Sequence, residues 1–108
     1  MIAEQKSSIE IVRDHLDQPE LLVQLAEEAT ELAQAALKLR RAYTGVNPTP
    51  ITAKDAYQGL LEEIADVSNC ITALGFDSGI YRMEVSRIAS EKMKRWAERL
   101  EMEDDHGT

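Results

Sequence analysis

The sequence predicts an all-α fold: a helical bundle of two long antiparallel helices, a C-terminal amphipathic helix and a short N-terminal helix, completed by oligomerisation. Three observations carry this. Glycine and proline are scarce, five and three in 108 residues, so little punctuates the chain. Two long stretches carry apolar residues at alternating three- and four-residue steps, the spacing of one helical face. Cap and breaker residues fall between these stretches rather than inside them.

A short first helix is expected from about Ser7, because Ser7 and Glu10 stand at capping-box spacing. It ends before Pro19. Proline is favoured in a helix's first turn, so the second helix begins about Pro19. It continues without internal glycine or proline through "ELLVQLAEEATELAQAALKLRRAYT", roughly 37 Å of helix. Its stripe reads Leu22, Leu25, Ala29, Leu32, Ala36 and Leu39. Gly45, Pro48 and Pro50 in "TGVNPTPI" end it and keep the link extended or turned. Thr52 and Asp55 can cap the third helix, whose stripe is Tyr57, Leu60, Ile64, Val67, Ile71 and Leu74, with Gly75 as its stop. Asp77 or Ser78 caps the fourth, which runs through "YRMEVSRIASEKMKRWAERLE". The acidic tail, 102–108, is expected to fray.

A chain of 108 residues is one domain's worth, so a single domain over 1–108 is expected. Charged residues at 30% and apolar ones at 44% fit a soluble helical protein. The net charge of −8 argues against nucleic-acid backbones and anionic membranes as partners. It leaves room for a phosphorylated small molecule if a cation intervenes. The opening "MIAEQKSSIE" has charges and no apolar run, so no signal peptide is expected. No stretch approaches the roughly 20 apolar residues of a membrane span, and a cytoplasmic location is the default. The single cysteine, Cys70, excludes an intrachain disulfide and fits the core as a small apolar residue.

Two segments echo each other at an offset of 35 residues: "LAEEATEL" at 25–32 and "LLEEIADV" at 60–67. Glu28 and Glu31 are neighbours on one helix surface, and Glu63 and Asp66 repeat the arrangement. On a helical projection Glu28 falls roughly 60° from the centre of its apolar stripe and Glu63 about 70° from its own. Glu31 and Asp66 lie further out on the same shoulders, while Glu27 and Glu62 point toward solvent. One ExxE in an acidic helix is ordinarily a solvated face. Two matched clusters at the core edge are another matter, because four facing carboxylates repel one another and resist burial. A cation with oxygen ligands relieves both costs, and antiparallel helices are a known frame for such sites. His15 and His106 do not supply the Glu-x-x-His of di-iron bundles. Oxygen-only ligands therefore point to Mg²⁺ or Mn²⁺.

"EEATE" followed by "EEIAD" resembles the EExxE…ExxD signature of the MazG-like, all-α nucleoside triphosphate pyrophosphohydrolases, over helices two to four. The resemblance implies that Glu28, Glu31, Glu63 and Asp66 hold Mg²⁺, which grips a triphosphate. It implies hydrolysis of a nucleoside triphosphate, a deoxynucleotide or a non-canonical one, to monophosphate and diphosphate, with Glu27 near the metals or the attacking water. House-cleaning of the nucleotide pool is the implied role, and a homodimer or dimer of dimers the implied assembly. Family members often contact phosphate through Lys and Arg in the last helix, where Lys92 and Arg95 are the matching residues. Independently of the resemblance, no G-x-x-x-x-G-K-[ST] loop is present to cradle phosphates, which leaves the grip to cations.

The alternatives on the fourth helix are ordinary. Lys92 and Arg95 could pair with Glu91, Glu98 or Glu101, at little gain. Trp96, among Val85, Ala89 and Leu100, reads as core or subunit interface. Asn69, three residues past Asp66, could meet a sugar or phosphate oxygen or simply be exposed. For the whole chain two other functions stay open: a phosphoribosyl-ATP pyrophosphohydrolase of histidine biosynthesis, and a non-enzymatic helical dimerisation module.

Overall fold

A computed structural model describes residues 5–45 and 51–106. Its elements are α1 (Ser8–His15), α2 (Gln18–Thr44), α3 (Ala53–Leu74) and α4 (Gly79–His106), with no strand among the described residues. They form two compact units, Met1–Leu74 and Gly75–Thr108. Pro48 and Pro50 lie outside the described residues. None of the described helices is long and apolar enough to cross a membrane.

The first unit is a helical hairpin with a short helix laid on one end. The Ser7 hydroxyl accepts from the Glu10 backbone N–H at 3.3 Å and starts α1. α2 starts on a full capping box between Asp17 and Glu20, with Pro19 inside its first turn. It closes on Gly45 in the left-handed region at φ 66, where the glycine N–H reaches the Arg41 carbonyl at 2.9 Å. The Thr52 hydroxyl accepts from the Asp55 N–H at 3.2 Å and starts α3, and Gly75 at φ 83 follows its last turn. The two long helices run antiparallel: Leu21 and Gln24 share a cleft with Cys70 and Ala73, while Lys38 and Arg41 share one with Asp55 and Ala56.

Arg13 pins α1 to this hairpin. Its Nε donates to the Ala73 carbonyl at 3.0 Å and its Nη2 to the Thr72 carbonyl at 2.9 Å. Carbonyls in the last turn of a helix lack intrahelical donors and carry the negative end of the helix dipole. A guanidinium fork answers both needs. Arg13→Ala should therefore cost about 1 kcal/mol of stability. By hydrogen exchange, the loss should appear as faster exchange across α1, with α2 little changed.

The α2–α3 contact keeps Leu25, Leu32, Leu39, Leu60, Val67 and Leu74 of the predicted stripes but is turned away from their centres. The buried or half-buried face of α2 runs through Leu21, Leu25, Glu28, Leu32, Ala35 and Leu39. That of α3 runs through Ala56, Leu60, Glu63, Val67, Cys70 and Leu74. Leu22, Ala29, Ala36, Tyr57 and Ile64, members of the predicted stripes, are exposed. On each helix the contact is turned roughly 60° from the predicted centre toward the glutamate. The reason is the width of the apolar arc: one partner helix covers only part of it, and periodicity does not say which part.

The second unit is α4 and the turn before it. The Ser78 hydroxyl donates to the Gly75 carbonyl at 3.1 Å, so it closes the turn rather than receiving an N–H of α4. The Phe76 and Tyr81 rings meet edge to face, their centroids 5.6 Å apart. Arg87 pairs with Glu84 and, at 2.9 Å, with Glu91. α4 runs on to His106, so the acidic tail is helical well beyond Met102. No described side chain of this helix is buried. Trp96 keeps 54% of its surface exposed.

Candidate functional site

Turning the helices puts two glutamates where core residues would stand. Glu28 and Glu63 are half-buried within the α2–α3 contact, and Glu31 is exposed beside them. One carboxylate oxygen from each of the three lies within 4.8 Å of the others. Oε2 of Glu28 and Oε2 of Glu63 are buried with no hydrogen-bond partner. The other oxygen of Glu28, Oε1, accepts from the Gln24 side-chain amide at 2.9 Å. Buried carboxylate oxygens are expensive to leave unpaired, and an orphaned pair of them calls for a missing partner.

The electrostatics follow from this crowding. Burial pushes the Glu28 carboxyl above its ordinary value, and the charges of Glu31 and Asp66 add to the push, against the Gln24 hydrogen bond. Glu63 is pushed up first by burial, then by Asp66 and Glu28. Cys70 is buried and its thiol raised, again by burial first and then by the charges of Glu28 and Asp66.

The predicted ligands are thus gathered unevenly. Glu28, Glu31 and Glu63 form a trio, while Asp66 stands outside it, exposed, and acts on it through its charge. Glu27 and Glu62 are exposed. Asn69 lines an apolar cleft of about 350 Å³ between α1, α2 and α3, with Leu16, Leu21, Gln24 and Cys70. Lys92 and Arg95 belong to the second unit, both exposed on α4. Neither has an ion-pair partner among the described residues. His15 turns its Nδ1 to the Ile11 carbonyl at 2.8 Å. The side chain of His106 lies outside the described residues.

Two parts of the site carry no signature in the acidic motifs. Gln24 is one; its position four residues before Glu28 is the available clue. The other is a polar cleft of about 690 Å³ on the hairpin, lined by Glu31 and Glu63 and also by Lys38 and Arg41. Lys38 follows Glu31 by seven residues and so shares its side of α2.

The donor set fits a hard divalent cation. Three carboxylates on two helices offer oxygen alone, and two of those oxygens have no other partner. No protein-family model matches the chain, and neither a curated protein nor a solved structure does.

Proposed function

We propose that the protein hydrolyses a nucleoside triphosphate to its monophosphate and diphosphate with Mg²⁺ or Mn²⁺, as its resemblance to the MazG-like pyrophosphohydrolases implies. The observation behind this is the carboxylate trio with its two buried, unpartnered oxygens. Glu28, Glu31 and Glu63 would hold the cation, with Asp66 adding negative charge at the rim. When bound, the cation offsets phosphate charge and activates water. Gln24 fixes the orientation of Glu28 through its amide, as outer partners of metal ligands do. Glu27, exposed and adjacent in sequence to Glu28, is the candidate to take a proton from the attacking water.

A helical dimerisation module is the competing reading. It accounts for exposed apolar faces, but gives no reason to set unpaired carboxylates into a helix contact. A panel of canonical, deoxy and modified triphosphates with Mg²⁺, scored for monophosphate and diphosphate, tests the proposal. The expected result is diphosphate release from at least one of them, lost on chelation. Orthophosphate as the only product, or no turnover together with no Mg²⁺ binding, would overturn it. Conversion of phosphoribosyl-ATP alone would move the enzyme to histidine biosynthesis.

A further inference from the structure

We propose that Lys38 and Arg41 of α2 receive the phosphate groups of the substrate where they extend past the carboxylate trio; this rests on the phosphohydrolase reading above. The two cations and two of the three trio members line one cleft of about 690 Å³. Along the helix axis Lys38 stands roughly 10 Å beyond Glu31, and Arg41 roughly 15 Å. Helical side chains lean toward the N-terminus, which from Lys38 and Arg41 is the direction of the trio.

The ordinary account of two surface cations is pairing with nearby acids. The cleft offers Asp55 and Glu62 for this. Neither Lys38 nor Arg41 pairs with them or with any other described residue. Arg41 is half-buried besides, a position in which a charge gains from a partner. The cleft therefore joins Glu63, with its unpartnered oxygen, and Glu31 to two cations that have no ion-pair partner among the described residues. A polyphosphate with its divalent ion satisfies both. A guanidinium suits phosphate oxygens through its paired donors, and an ammonium acts as a compact charge. No glycine-rich loop is present to offer backbone N–H groups in their place.

Calorimetric titration separates this from the metal site itself. The probes are Mg²⁺ alone, then inorganic triphosphate in saturating Mg²⁺. The Lys38→Gln/Arg41→Gln double variant should bind Mg²⁺ no more weakly than the unsubstituted protein, and triphosphate about 10- to 100-fold more weakly, the loss of charge-assisted hydrogen bonds. Arg40→Gln/Lys54→Gln, the same loss of two positive charges outside the cleft lining, should leave triphosphate affinity unchanged. Equal triphosphate affinity in the double variant and the unsubstituted protein, with Mg²⁺ binding intact, would overturn the role of Lys38 and Arg41 while leaving the trio standing. An equal loss in Arg40→Gln/Lys54→Gln would reduce the effect to net charge and overturn the assignment. If the unsubstituted protein binds no Mg²⁺, the phosphohydrolase reading fails and this inference falls with it.

Discussion

Glu28→Gln and Glu63→Gln should each raise the melting temperature of the metal-free protein and abolish its response to Mg²⁺. The two effects have one origin. Both carboxyls are half-buried in the α2–α3 contact, each with an oxygen that has no partner. Both are held above their ordinary value of 4.5 by burial and by neighbouring carboxylates. An acid whose folded-state value is raised binds more protons folded than unfolded. Stability is then greatest below about 4.5 and falls as pH rises through the raised value. Near neutrality the apoprotein carries the full penalty. Glutamine removes the charge at nearly constant shape, so the variants should melt a few degrees higher and show a flatter pH profile above pH 5. Bound Mg²⁺ should flatten the unsubstituted profile in the same way, because the cation takes the place of the missing proton. Diphosphate release should drop by roughly two orders of magnitude or more, the loss expected when a group that holds the activating cation is removed. Thermal melts from pH 4 to 8, with Mg²⁺ and with chelator, check all of this. A lower melting temperature in the metal-free variants would mean that the trio is a structural network, and the cation site would lose its support.

The helices, their order and most of their ends are legible in the chain because local chemistry sets them: Ser7, Pro19, Thr52 and Gly75 each act at the backbone next to them. Asp17 and Glu20 form a full capping box that the eye passes over in favour of Pro19. What sequence spacing does not carry is rotation. A wide apolar arc on α2 admits several contact faces, and projection from its centre leaves Glu28 on a shoulder. In the structure Glu28 and Glu63 sit in the contact itself, which turns two edge residues into the strained centre of the site. Arg13 is invisible for another reason: its acceptors, the carbonyls of Thr72 and Ala73, belong to the backbone and leave no mark in composition. Lys38 and Arg41 fall between these cases. Their side of α2 follows from the seven-residue step after Glu31, yet only the packing of α3 makes that side a cleft.

We propose that copies of the chain meet through one apolar face of the hairpin, in which case Ile64→Glu should dissociate them into monomers while leaving the hairpin folded. On α2, Leu22, Ala29 and Ala36 lie to one side of the contact face; on α3, Tyr57 and Ile64 do the same. In an antiparallel pair these two sides coincide, so they form one apolar face, opposite the edge that carries Glu31 and Asp66. Leu22, Tyr57 and Ile64 are 45%, 51% and 47% exposed. Such a continuous face is unusual on a monomer. α4 carries apolar residues of its own, with Val85, Met93, Trp96 and Leu100 all exposed. A second copy of the chain supplies identical faces, and a stable interface needs roughly 800 Å² from each partner. A glutamate at 64 would be nearly free of cost on a solvent face, but unpaired within an apolar interface it should weaken association about 100-fold or more. Sedimentation over a range of concentrations reads this directly, and the melting temperature of the unsubstituted protein should rise with concentration. If the unsubstituted protein sediments as a monomer at high micromolar concentration, or if Ile64→Glu leaves its mass unchanged, this face is not where copies meet. Diphosphate release measured on the dissociated variant would then show whether one hairpin, with its own trio and cleft, suffices for turnover. Because Glu28, Glu31 and Glu63 all come from a single chain, Mg²⁺ binding is expected to survive dissociation even if turnover does not.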